Sequence, residues 1–265
     1  MQLTISHTTI YTYETPVHYA LQRVRLTPTD TTQQKVHSWS LSVEGGVQEA
    51  QYLDHNRNLT HLVNVDQGGT EVRLTATGTV TTMDTAGILG HMTGPAPLWL
   101  YKRETALTEA GDTIRDIAAP LTVSTDMLAA LHDLSARIAE AVEYGTGQTW
   151  AQTTAEEALA GGRGVCQDHA QIFIAAARLA GVPARYVSGY LMMDDRTEQD
   201  AGHAWAEAHL PSLGWVGFDV SNGQSPDERY VRIASGRDYT DAAPISGLRQ
   251  GEGDERMIVT LQVQQ

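Results

Sequence analysis

The chain has 265 residues, 41% of them hydrophobic, and a formal net charge of -14. That length can bury a substantial core, as one large domain or two moderate ones. The acidic balance argues against polyanionic partners, because binding nucleic acid needs clustered Lys and Arg to replace counterions.

The N-terminal third reads as strands. ISHTTIYTYE (Ile5 to Glu14) and TEVRLTATGTVTT (Thr70 to Thr82) are rich in β-branched and aromatic residues and alternate in polarity. Turn segments such as EGG, DHNRN and DQGG separate the runs, as in an antiparallel β-sandwich or meander. The threonines of these runs suit strands with a solvated face. MQLTISHTTIYTYE has neither a basic n-region nor an apolar h-region, so it is not read as a secretory signal. No apolar run approaches the length of a membrane span. The expected location is cytoplasmic, with no membrane partner.

From Asp84 the alternation dissolves into DTAGILGHMTGPAP. The spacing predicts an N-terminal β-rich domain over 1–83, a linker over 84–101 and a second domain over 102–265. The last strand, about 256–264, can pack on either domain.

Helices follow. In STDMLAALHDLSARIAEAV the residues Met127, Leu131, Leu134, Ile138 and Ala141 form one apolar face, with Ser124 or Thr125 as the expected cap. Thr154 and Glu157 have capping-box spacing at the start of a short helix that Gly161 and Gly162 can end. A third helix is predicted over Gln167–Ala180, stopped by Gly181 and Pro183. Cys166, the chain's only cysteine, therefore falls at or just before a first helical turn, directly after GGRGV. It is a buried small hydrophobe or a nucleophile whose thiolate the helix dipole favours. A single cysteine implies no intramolecular disulfide.

Three further strands are expected in ARYVSGYLM, HAWAEAHL and WVGFDV, the last two joined as a hairpin through PSLG. The whole is an α+β arrangement. On the first hairpin strand His203, Trp205, Glu207 and His209 share a face; on the second, Trp215, Gly217 and Asp219 do. An odd number of loop residues would bring His203 and Asp219 side by side. An aspartate there can accept from one ring nitrogen and leave the other facing a thiol.

GGRGVCQDHA, GHAWAEAHLPSLGWVGFDVSNG and VRIASGRDYTDAAPISG resemble, in that order, the core of the bacterial transglutaminase-like superfamily. YTYETPVHYALQRVRLTP resembles the β-rich N-terminal domain that often precedes it. The resemblance implies a papain-like Cys–His–Asp site on a helix packed against an antiparallel sheet. Cys166 would be the nucleophile, His203 the base and Asp219 the orienter, with Glu207 next in line for that last role. Val220 stands where the family pattern has proline, which bears on the turn rather than on the triad. By the same analogy an upstream aromatic, Tyr144 or Trp150, would join the Cys166 backbone N–H in an oxyanion hole. Gln167 and Trp205, which neighbour the nucleophile and the base, are further candidates for substrate contacts.

The chemistry implied is acyl transfer through a thioester on a peptide, protein or amide substrate, most simply hydrolysis as a peptidase or amidase. A protein-glutamine transglutaminase is the first alternative and a non-catalytic binding module the second. No cofactor or metal is implied: Cys166 and His169 form one weak ligand pair, and His203 and His209 are too widely spaced for zinc. His169 and His209 read as structural. The acidic stretch Asp194, Asp195, Glu198 and Asp200 lacks a calcium-loop pattern and reads as a solvated loop. Its place before His203 makes it a candidate lid favouring cationic groups.

Overall fold

A computed structural model describes residues 1–91 and 95–265; the part of the predicted linker at 92–94 lies outside the described residues. Six strands come first: β1 (Gln2–Tyr13), β2 (Tyr19–Thr27), β3 (Gln34–Glu44), β4 (Gly46–Leu53), β5 (Leu59–Val65) and β6 (Glu71–Thr82). After β7 (Ile88–Gly90) and a 3₁₀ turn at Leu98–Lys102 come α1 (Asp112–Thr122), α2 (Met127–Ala141), β8 (Glu143–Tyr144), α3 (Ala155–Gly161), β9 (Arg163–Gly164) and α4 (Cys166–Leu179). The chain ends with β10 (Ala184–Leu191), β11 (Glu198–Gln199), β12 (His203–Leu210), β13 (Gly214–Phe218), β14 (Tyr230–Gly236), α5 (Tyr239–Ala242), β15 (Ile245–Gln250) and β16 (Glu255–Gln264).

Three antiparallel sheets organise these elements, in the orders β11-β16-β1-β6-β3, β15-β2-β5-β4 and β14-β10-β12-β13-β7. The first two face each other across a core of Leu3, Ile5, Leu26, Leu74 and Val263, as a sandwich does. β1 shows why: its residues alternate between exposed and buried, with every second side chain turned inward. The third sheet belongs to the α+β half. Its strand β10 is buried along its whole length, because helices cover one face and the sandwich abuts the other through Tyr190, Val231 and Ile233.

The chain does not divide at one point. β7, inside the predicted linker, pairs with β13 and forms an edge of the central sheet. The C-terminal strands return to the sandwich: β15 pairs with β2, and β16 pairs with β1 over ten register positions.

Helix ends follow local chemistry. α2 is capped by Asp126, whose carboxylate accepts from the Ala129 N–H at 3.1 Å, rather than by Ser124 or Thr125. Ser124 instead turns its hydroxyl to the Asp126 carbonyl at 2.9 Å. α3 carries the capping box of Thr154 and Glu157 and ends where Gly162 takes φ 65°. α1 has no side-chain cap of its own. Glu156 of α3 supplies one, accepting from the N–H groups of Gly111, Thr113 and Ile114 at 3.0, 2.9 and 3.1 Å. A Cβ at Gly111 would stand 2.4 Å from the Glu156 carboxyl carbon, so a larger residue there would displace the capping carboxylate.

α4 is the central helix. Its stripe of Ala170, Ile172, Phe173, Ala176 and Ala177 packs with Ala204, Ala206 and Ala208 of β12 in one core. At its far end Arg178, 4% exposed, donates to the carbonyls of Tyr101, Ala184 and Arg237 and to the Thr108 hydroxyl. One guanidinium thereby ties α4 to four separate segments. No helix of the described residues is long and apolar enough to cross a membrane.

The Glu156 cap is testable. Glu156→Ala leaves three N–H donors of α1 without their carboxylate and should lower unfolding free energy by about 1–3 kcal/mol. Urea unfolding measures this; a loss below about 0.5 kcal/mol, ordinary for a surface change, would contradict it.

Candidate active site

The glycines before Cys166 have separate jobs. Gly162 ends α3, and Gly164 leaves room for a carboxylate, since a Cβ there would lie 2.8 Å from Asp168. Asp168 needs that room because it accepts from the Val165 N–H at 2.7 Å and the Thr149 hydroxyl at 2.6 Å. These bonds hold the turn in which α4 begins. Cys166 is the first residue of α4 and is partly exposed.

His203 is the first residue of β12 and lines the same cleft as Cys166. The β12–β13 register pairs Leu210 with Gly214, so three residues form the loop, the odd number that puts His203 and Asp219 on one face. His203 Nε2 lies 2.6 Å from Asp219 Oδ2. Cys166 lines the same cleft as the imidazole and favours its charged form. With Nε2 committed to Asp219, Nδ1 is the ring nitrogen left without that partner.

Burial disfavours a charged His203, but the hydrogen bond to Asp219 and the influence of Cys166 outweigh that and raise its pKa to about 10. Asp219 is fully buried. Burial alone would raise its pKa; the hydrogen bond and charge of His203 and the donors from Asn222 and Tyr230 hold it below the usual carboxylate value.

Sequence reasoning missed those last donors. The Tyr230 hydroxyl and Asn222 Nδ2 each reach Asp219 Oδ2 at 2.7 Å. The Asn222 N–H reaches Oδ1 at 3.3 Å. Gln224 Nε2 in turn donates to the Tyr230 hydroxyl at 2.8 Å. The turn closes through paired backbone bonds between Asp219 and Gln224, at 2.8 and 3.2 Å, and buries Val220 in the core. The Asp-x-x-Asn spacing of an Asx-type turn was a signal for Asn222. Tyr230 arrives from β14, and nothing local announces it.

The remaining candidates are distributed unevenly. Tyr144 pairs with Gly164 across β8 and β9, is 56% exposed, and has its pKa raised by burial and then by the charges of Cys166 and Asp219. Its ring meets that of His169 edge-on, 6.2 Å between centroids. Gln167 lines the cleft, with its amide donating to the Ala151 carbonyl at 3.4 Å. Trp150, 75% exposed, lies on a different surface hollow together with Gln148 and Arg163. Trp205 is 3% exposed and stacks behind His203 at 6.3 Å, against Tyr230, so it supports the imidazole rather than meeting a ligand. Glu207 is fully buried and paired with Arg185 at 2.6 Å and with Arg232, which engages the carboxylate otherwise available to orient His203.

His169 bonds to the Ser221 hydroxyl at 2.8 Å and the Val142 carbonyl at 3.0 Å, tying α4 to the turn after Asp219. His209 packs against His91 and Trp215. Among the described residues no three His, Cys, Asp or Glu are grouped to hold a metal ion.

The comparisons agree with this architecture. A transglutaminase-like superfamily core matches residues 115–220, and a bacterial transglutaminase-like N-terminal region matches residues 3–81. An uncharacterized protein of Mycobacterium leprae is 28% identical, covering 99% of this chain and 98% of its own. One from Mycobacterium tuberculosis is 30% identical over 92% of this chain and 86% of its own. In three dimensions a candidate cysteine protease from Cytophaga hutchinsonii shares the fold, with a TM-score of 0.81 and 21% identity over all of this chain and 90% of its own. The chain belongs to the transglutaminase-like superfamily.

The electrostatics predict that the His203 ring keeps its second proton at pH 8 and releases it only as pH rises toward about 10. Removing the carboxylate in Asp219→Asn takes away one of the two groups that favour the charged ring and should lower the midpoint. Ring resonances followed by NMR across pH check both. A wild-type midpoint near the ordinary histidine value would contradict the ion pair.

Proposed function

We propose that this protein is a cysteine-dependent acyl-transfer enzyme that cleaves amide or peptide bonds through a thioester, with Cys166, His203 and Asp219 as its catalytic triad. The observation that carries the reading is the 2.6 Å bond from His203 to the buried Asp219 carboxylate, with Cys166 at the start of α4 lining the same cleft as the ring. Such a couple holds the charge-separated state that a thiol nucleophile requires.

The steps balance. The Cys166 sulfur attacks the carbonyl carbon, and the resulting oxyanion is stabilised by the Cys166 backbone N–H and the Tyr144 hydroxyl. His203 gives its Nδ1 proton to the leaving nitrogen as the C–N bond breaks, and a thioester remains. Water then attacks that carbonyl, His203 accepts the water proton, and the carboxylic acid leaves as the thiolate–imidazolium couple re-forms. Asp219 holds the ring in place and offsets its charge throughout.

Water is the proposed acceptor. Cys166 is partly exposed, so the thioester would be reachable by solvent. Transfer to a primary amine, the transglutaminase reaction, is expected only as a side reaction at high amine concentration.

Asp219→Asn should keep the fold while lowering turnover by about 10²–10⁴-fold. The product ratio of acid to amide, measured with increasing primary amine, tests the acceptor. Acid should predominate at millimolar amine; predominance of the amide would make this a transglutaminase.

A further inference from the structure

The cleft that holds Cys166 and His203 has a volume of about 240 Å³, and only part of its wall comes from the catalytic core. The opposite wall belongs to the sandwich: His7, Thr9 and Tyr11 of β1, with Met257 and Val259 of β16. Register makes this wall continuous, since Tyr11 lies opposite Met257 and Thr9 opposite Val259. The inward face of β16 goes from fully buried Leu261, through half-buried Val259, to Met257, which is 56% exposed. That gradient marks where the sheet stops facing its own core and starts facing the cleft. Ile245 and Pro244 close the floor.

Among the described residues that line this cleft there is no Asp, Glu, Lys or Arg. His7, the one titratable imidazole there besides His203, is 3% exposed and bonded to the Tyr190 hydroxyl at 2.9 Å and to Thr9 at 3.0 Å. Burial lowers its pKa to about 4, so it is uncharged at neutral pH. The acidic loop before His203 does not compensate. Of its residues only Ala201 and Gly202 line the cleft, while Asp194 faces Arg229, Asp195 faces Arg196 and Glu198 faces Gln262. A cationic preference is therefore not built into this wall.

Resting on the acyl-transfer reading, we infer that the sandwich wall selects the acyl donor: a donor whose carbonyl-bearing residue is uncharged and apolar, of aromatic or large aliphatic size. The volume falls below the roughly 300–1,000 Å³ of pockets that hold drug-sized ligands, which suits one side chain rather than several. A charged side chain seated against the sandwich wall would lose its hydration, and no Asp, Glu, Lys or Arg lines the cleft to compensate. The sandwich thus acts as the specificity element of the site, with Met257 and Val259 as the residues that set it.

N-acetyl aminoacyl chloromethyl ketones test this, because they present one side chain beside the carbonyl and alkylate the thiol. Cys166 labelling is followed by mass spectrometry, with each rate divided by the same reagent's rate with free cysteine and with iodoacetamide as the small reference. Phenylalanyl and leucyl reagents should react at least roughly 10-fold faster than lysyl and glutamyl ones. In Met257→Glu the lysyl reagent should gain on the phenylalanyl one. In Val259→Trp, which adds bulk without charge, the phenylalanyl reagent should slow relative to the alanyl one. Prompt labelling by iodoacetamide with equal rates for charged and apolar reagents would overturn the inference and leave the nucleophile intact. Unchanged ratios in both variants would overturn the role of the sandwich wall. Failure of every reagent, iodoacetamide included, would instead overturn the acyl-transfer reading on which the inference rests.

Discussion

The seating of α4 on β12 is the contact on which the site depends. Alanines at 204, 206 and 208 present a shallow surface, so a helix rich in alanine on the facing side can lie against the strand. Close-packed interiors transmit small changes in volume, so a larger side chain in this seam would move the helix and its first residue with it. The geometry between Cys166 and His203 is thus a packing distance before it is a chemical one. Arg178 at the distal end of α4 anchors the helix to four segments, and Asp168 fixes the turn from which it starts.

The second constraint is electrostatic. Three donors converge on one oxygen of Asp219, which is fully buried, and a buried carboxylate persists as an anion only when it is met in this way. The anion is what keeps a proton on a ring that burial would otherwise deprotonate. Tyr230 and Trp205 pack against His203 from behind and leave its other edge toward the cleft. The stacked arrangement makes the imidazole a fixed object rather than a rotamer to be selected. Its neighbour Glu207, only four positions along β12, serves two buried arginines instead, so adjacent carboxylates of one strand region carry unrelated duties.

Much of this was legible in the residues because it is local. Strand alternation in β1 and β6, the capping box of α3, the start of α4 at Cys166 and the parity of the β12–β13 hairpin all follow from short-range pattern. α1 was not legible: Pro120 lies inside it, and its N-terminal donors are satisfied from α3 rather than by a cap of its own. β7 hid in a glycine- and proline-rich stretch because three residues are too few to show alternation. The return of β15 and β16 to the sandwich, the arrival of Tyr230 at Asp219 and the burial of Trp205 are long-range pairings. Periodicity identifies which face a strand buries but not the element that covers it. The sandwich wall of the cleft is of the same kind. His7 and Thr9 interrupt an otherwise apolar inward stripe, yet only the assembled sheets reveal that they face Cys166.

In the proposed reaction Cys166 carries the acyl group as a thioester formed with the help of His203. Intact-mass spectrometry after rapid mixing with an activated ester of an apolar N-acyl amino acid, quenched in acid, tests it most directly. One acyl equivalent per chain is expected, located on the peptide containing Cys166, formed within the burst of product release and strongly diminished in His203→Ala. An acyl group found on another residue, or turnover that continues undiminished in Cys166→Ala, would contradict it.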